Sequence, residues 1–514
     1  MTSAPPARSL GRNIAAASML MIGIRLVFRV MGVFSSLILI RLLMPTDFGL
    51  VGLAMAFATG LETLTETSFG MALIRLPDMQ RKHLDTAFTF QLIRGTLIGG
   101  ALAASGGVAA AWMQEPRVEP IMWVIGAAAF VQGFENIGMV EYRRNLQFGK
   151  IFESRLYAKL ASLAVMLPLA AVTRSYWSLV AGIVVMRVFQ ALYTYWQHPY
   201  RPRLSFAAAP ELFHFSKWLF LSNLLGVIET TVPTVLFGRI AGATGVGLYQ
   251  VAAQIATLPT TEIASPIREP IYSGYAKLMH DMRKLRQQFV DGLGVVLLII
   301  APMSIGIALT ARLLTPLAFG PQWAAAPSLI VPCAITGLLA GIAEYPHNLF
   351  MVLNRQRSFV VTLAVMLAIR FPLFILASVH WGMAAGIYVL AASTALTAAI
   401  WMGSAMRLID LRIGALMAPL WRTVVSTAVM TGVVLLLCDL DADVAGTSAL
   451  ALRLALVAAA GAAAQIGTQA VLWVLSGMPE GPETKLAGLA RASLFKLLTF
   501  RLRRRAAGPR ATSP

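Results

Sequence analysis

Along this chain, long apolar runs alternate with short polar breaks. The runs fall at roughly 14–38, 48–67, 86–113, 120–140, 152–173, 176–197, 215–238, 246–267, 289–310, 325–350, 358–380, 382–404, 421–438 and 449–475. A helix needs about 20 apolar residues to cross a bilayer, and each segment in lipid must satisfy its own backbone hydrogen bonds. The pattern therefore predicts an all-α integral membrane protein of about 14 transmembrane helices. Arginines and glutamates interrupt several runs well away from their ends. A charge at mid-membrane costs about 3 kcal/mol or more and persists where it finds a partner or lines a polar cavity. Such placement implies passage of something polar, and anionic where arginines dominate.

Composition agrees with the pattern. Hydrophobic residues make up 58% of the 514 and charged residues 13%, with mean hydropathy +0.72. Soluble domains carry about 25% charged residues, so a soluble class is excluded. The net charge of +19 would suggest nucleic acid in a soluble protein, but here the basic residues cluster in alternate loops. Arg8 and Arg12, then Arg75, Arg81 and Lys82, then Arg143, Arg144 and Lys150, fall on one side, and the same side later receives Arg201, Arg203, Arg283, Lys284, Arg355 and Arg407. The positive-inside rule makes that side cytoplasmic, both termini with it, and no nucleic-acid partner is expected. Cys333 and Cys438 lie far apart in apolar runs and suggest neither a disulfide framework nor a zinc site. The polar start MTSAPPARSLGRN lacks a cleavage motif after its apolar run, so an uncleaved first span is expected.

An internal repeat organises the spans. RLLMPTDFGLVGLA (41–54) follows the first run and RIAGATGVGLYQVA (239–252) follows the seventh. Arg41, Gly49, Leu50 and Ala54 match Arg239, Gly247, Leu248 and Ala252 at identical spacing. Six spans separate the copies, so two six-helix lobes share one orientation in a parallel pseudo-repeat, with two C-terminal helices appended. The expected divisions are an N-lobe over 1–197, a cytoplasmic linker over 198–214, a C-lobe over 215–404, spans thirteen and fourteen within 405–475, and a basic tail over 476–514. Within that tail, Leu486, Leu489, Leu497 and Phe500 share a face, which predicts an amphipathic helix on the membrane surface.

The interior charges are the candidate chemistry. Arg25 and Arg29 are four apart, so both guanidinium groups lie on one face of the first span. Their fixed fork of donors suits phosphate oxygens. Glu62 and Glu66, also four apart, are their candidate supports or structural partners. Arg94 and Arg187 add positive charge to the N-lobe, whereas the C-lobe carries Glu229, Glu262 and Arg370. The expected division is anion recognition in the first lobe and a cation or proton site at Glu229 or Glu262 in the second. No cofactor is expected beyond coupling to a proton or sodium gradient. Asp439, Asp441 and Asp443 resemble a DxD metal motif, but an acidic outside loop obeying the charge rule accounts for them better.

The stretch RLLMPTDFGLVGLA, continued by ETLTETSFGMALIR (62–75) and NIGMVEYRRNLQFGKIF (136–152), resembles the signature of bacterial Wzx-type polysaccharide and O-antigen flippases. These form the polysaccharide-transporter branch of the multidrug/oligosaccharidyl-lipid/polysaccharide (MOP) exporter superfamily, so a MATE-like fold is implied. The resemblance implies an inner-membrane transporter, not an enzyme, that flips undecaprenyl-diphosphate-linked oligosaccharide by alternating access. Membrane lipids and a polysaccharide polymerase or export machinery would be its partners. It places the diphosphate-sugar head at Arg25 and Arg29, with Arg94 a further candidate. The rivals are a multidrug or organic-cation exporter, a flippase for the peptidoglycan precursor, and a membrane polymerase or glycosyltransferase. Short outside loops disfavour the last, and the arginine-rich first lobe disfavours a drug exporter.

Overall fold

The computed structural model describes residues 27–66, 73–74, 76, 79–145, 147–212, 217–264, 271, 274–439, 446–479 and 481–484. Among them there is no β-strand, and ten helices are long and apolar enough to cross a membrane. The principal helices are α1 (27–42), α2 (Pro45–Leu64), α3 (Arg81–Met113), α4 (Val118–Gln132), α5 (Phe148–Thr173), α6 (Trp177–Gln197) and α7 (Lys217–Ala256). There follow α8 (Met282–Ala318), α9 (Pro327–Glu344), α10 (Gln356–Leu408), α11 (Ile413–Asp439) and α12 (Thr447–Leu475). At 53 residues, α10 is too long for one crossing, and it breaks at Gly382 (φ 84°, ψ 178°). Gly242 (φ 64°, ψ −170°) breaks α7 in the same way. Only glycine adopts this backbone region readily; Gly242 falls in the pause between the seventh and eighth apolar runs, and Gly382 opens the twelfth.

The chain forms two compact units. The first contains 1–251 with 318–326 and 375–383; the second contains 252–317, 327–374 and 384–514. In the first unit, the repeat motif explains its own residues. Pro45 takes the first helical position of α2, where its missing N–H leaves no bond unmade. Asp47, two residues later, accepts the Met44 N–H at 2.9 Å through Oδ2 and the Tyr176 N–H at 3.0 Å through Oδ1. One carboxylate thus caps α2 and ties it to the start of α6. Leu43 and Leu50 are fully buried on either side.

Gly49 marks a helix crossing. A Cβ on Gly49 would collide with the Ala243 carbonyl oxygen, and one on Gly247 with the Pro45 carbonyl oxygen. Each repeat copy therefore meets its own counterpart. The offset of 198 that relates Arg41 to Arg239 also relates Pro45 to Ala243, Gly49 to Gly247, and Gly52 to the Gln250 side chain it faces. Thr46 and Thr244, again 198 apart, share a hydroxyl–hydroxyl bond of 2.9 Å. The contact has the self-complementary form of a local two-fold axis running between the glycines.

In the second unit, α11 and α12 pair through a chain of polar groups. Arg422 meets Glu483 in a two-pronged ion pair at 2.8 and 3.1 Å. Gln469 donates to Glu483 at 2.9 Å and accepts from Ser426 at 2.7 Å. The expected tail helix, and Asp441 and Asp443, lie outside the described residues. Neither Cys333 nor Cys438 is in a disulfide.

Candidate functional site

The last carbonyls of α2 have no partners within the helix and must find donors elsewhere. The Thr65 and Glu66 N–H groups reach the Leu61 and Thr63 carbonyls at 3.0 and 3.2 Å, and three side chains add further donors. Thr65 donates to the Leu61 carbonyl at 2.6 Å, Asn223 to Thr63 at 3.3 Å, and Arg94 of α3 to Glu62 at 2.6 Å. Arg94 also donates to the Thr65 hydroxyl at 3.1 Å through Nε. A guanidinium at a helix C-terminus is further favoured by the helix dipole. Arg94 therefore holds the end of α2 in place.

One turn of side chains further in, Arg187 of α6 lies 2.7 Å from the Glu62 carboxylate. Arg187 is only 8% exposed, and its Nη1 is buried with no hydrogen-bond partner. Glu62 balances the charge and leaves Nη1 without a partner. This supplies what anion recognition requires, a desolvated cation with a directed donor, neutralised enough to remain in the membrane.

Ile183, one turn from Arg187, belongs to the wall of a cavity of about 660 Å³. The volume is within the usual range of small-molecule sites. Its polar wall is made of Thr59 and Thr63 on α2, Thr230, Thr231 and Thr234 on α7, and the Gln250 amide. Among the described residues no charged side chain lines it. The rest of the wall is apolar, with Val51, Met55, Met166, Leu179 and Ile183 in it, so the hydroxyls and the amide form a polar patch that can both donate and accept within a largely apolar cavity. Towards the start of α2 the wall includes Phe48 and Gly52, on either side of the Gly49 crossing.

Of the residues the sequence singles out, the structure brings Glu62, Arg94 and Arg187 together. Glu62 pairs with Arg187 of α6. Arg25 lies outside the described residues, Arg29 is half-buried near the start of α1, and Glu66 is exposed beyond the end of α2. Glu229 is half-buried on α7, and the Glu262 side chain lies outside the described residues. Arg370 belongs to the second unit, where it is buried and donates to Thr394 at 3.2 Å. The threonines and Gln250 are additions that charge-based reading passes over. Their signal was available: Thr59 and Thr63 repeat the four-residue spacing that marks Arg25 and Arg29. Among the described residues no group of three His, Cys, Asp or Glu side chains could hold a metal.

Residues 38–328 match the family described as "Polysaccharide biosynthesis protein". The chain is similar to the lipopolysaccharide biosynthesis protein WzxC of Escherichia coli (strain K12), with 24% identity over 350 residues, covering 66% of this chain and 69% of WzxC. Its fold is similar to the lipid II flippase MurJ in an inward closed conformation: the TM-score is 0.68 at 10% identity, over 89% of this chain and 99% of that one. It also resembles an inward-facing multidrug resistance MATE transporter of the MOP superfamily, with TM-score 0.56 at 16% identity, over 73% of this chain and 93% of the other. The two structural likenesses carry the fold, and the match over 38–328 carries the kinship: this multi-pass membrane protein belongs to the polysaccharide biosynthesis protein family and has the helical fold of the MOP exporters.

Proposed function

We propose that the protein flips undecaprenyl-diphosphate-linked oligosaccharide from the inner to the outer leaflet of the bacterial cytoplasmic membrane, for export of exopolysaccharide, capsule or O-antigen. The observation that carries this reading is Arg187: a buried guanidinium held by Glu62, with an unpartnered Nη1, one turn from a cavity whose largely apolar wall carries a patch of threonines. In this reading the diphosphate meets Arg187 and the first-span pair Arg25 and Arg29, and the sugars occupy the threonine-lined space. The prenyl tail remains in the bilayer, so only the polar head crosses. No bond is made or broken, and the energy comes from an ion gradient acting through alternating access. Glu229 and Glu262 are the proposed coupling residues.

Deletion followed by lipid analysis tests the function. The expected result is sugar-loaded carrier accumulating on the cytoplasmic leaflet with loss of surface polymer; normal surface polymer rules out this role. For the site, Arg187→Lys and Arg29→Lys are expected to retain part of the transport and the alanine variants to lose it, because an ammonium keeps the charge without the planar fork. Full transport by an alanine variant removes that residue from the site.

A further inference from the structure

Residues 198–212 read in sequence as a linker, yet they form a strap held along the first two turns of α3. Tyr200 donates its hydroxyl to Asp85 at 2.5 Å, and the Arg203 N–H donates to the same carboxylate at 3.0 Å. The Ser205 N–H donates to the Thr89 hydroxyl at 2.9 Å and the Ala208 N–H to the Thr86 hydroxyl at 3.1 Å. His83 and Lys82 meet Glu211 at 2.7 and 3.0 Å. His83, Asp85, Thr86 and Thr89 are all buried, so a polar stripe on α3 fixes the register of the strap and the side it turns outward.

That outward side is apolar and basic. Leu204 is 70% exposed and Phe206 59%, and Trp196, just before the strap, is 78% exposed. Arg201 and Arg203 are exposed among them. The position is informative because of what α3 does next. Val108, Leu97 and Ile93 form its exposed apolar stripe, the face a membrane helix turns to acyl chains. Phe206 packs edge-on against Phe90, with 5.8 Å between ring centroids, one turn before Ile93. Phe206 therefore prolongs the lipid-facing stripe, and Leu204 and Arg203 follow it. Aliphatic, then aromatic, then basic is the order in which a bilayer passes from acyl chains to its headgroups. Exposed Arg81, Lys82 and Arg143 lie on the same cytoplasm-assigned end and make it electropositive.

We propose that the strap 198–212 is an interfacial anchor for anionic phospholipid, with Leu204 and Phe206 in the acyl–headgroup boundary and Arg203 on a lipid phosphodiester. Charge complementarity and continuity with the α3 stripe select a lipid over a protein partner. The test uses the full chain with Cys333 and Cys438 replaced. An environment-sensitive NBD label is placed at Leu204→Cys in nanodiscs of phosphatidylcholine with or without phosphatidylglycerol, with Val108→Cys as the lipid-facing reference. Emission shifted to the blue and quenched by brominated acyl chains is the expected result. Water-like, unquenched emission in both compositions overturns the anchor and leaves the strap to a soluble partner. For the headgroup, native mass spectrometry of Arg203→Gln is expected to lose about fivefold in phosphatidylglycerol retention relative to phosphatidylcholine. Unchanged retention overturns the phosphodiester contact. Neither readout involves transport, so both stand apart from the identity of the cargo.

Discussion

Glu62 and Arg187 illustrate how a buried ion pair differs from either charge alone. Removing one partner leaves the other without its counter-ion, at a cost of about 3–5 kcal/mol, whereas replacing both with neutral groups is close to neutral. Glu62→Ala is therefore expected to lower the thermal unfolding midpoint in detergent, and Glu62→Gln combined with Arg187→Gln to recover most of the loss. Transport is expected to stay absent in the double variant, because the guanidinium is gone. Recovery of transport together with stability would make Arg187 a structural residue alone. The sequence showed that each of these charges lies inside an apolar run, since hydropathy is a local property. It did not show the pairing. The two residues are 125 positions apart, and Glu62 had nearer candidates in Arg25 and Arg29. The threonine wall was harder still to read, since hydroxyls in membrane helices often bond their own backbone, as Thr230 does to the Gly226 carbonyl at 2.9 Å.

The α2–α7 crossing shows what an element gains from small residues. Without a side chain on Gly49 or Gly247 the backbones approach closely, as helices do in lipid where packing replaces the hydrophobic drive. Gly49→Leu is expected to force the helices apart and abolish transport even if the protein inserts, which a surface-polymer assay beside a membrane-fraction blot checks. Thr46→Cys with Thr244→Cys is expected to crosslink under mild oxidant, with transport lost on oxidation and restored on reduction. Failure to crosslink would contradict the crossing itself. The strap offers a pH test. His83 first, and then Lys82, hold the Glu211 carboxyl below its ordinary value. A lowered folded pKa means the stabilisation is complete above the unfolded glutamate range, near pH 4.3, and is lost as pH falls through the lower folded value. Hydrogen exchange at Ser205 and Ala208 is therefore expected to accelerate, beyond the intrinsic rates, as pH falls below about 4. Here too the reading was partial: Pro and basic residues made 198–214 look like a linker, because side-chain donors that receive a backbone from over a hundred positions away leave no periodic mark.

Over the whole molecule, the apolar runs made the all-helical membrane class legible, and with it the pause that holds Gly242 and the run boundary next to Gly382. The repeat was legible as an alignment, but not that its copies would touch. The strap carries a consequence for dividing the chain. A first fragment ending at 197 would leave Asp85, Thr86 and Thr89 as a bare polar seam on a membrane helix. A fragment ending at 214 would bring its own closure. Coexpressed with the remainder, the longer first piece is expected to reassemble a working transporter and the shorter one to be degraded, as measured by surface polymer and fragment abundance. If two half-length ancestors were once joined end to end, the seam of that union is better sought after Leu212 than after the sixth span.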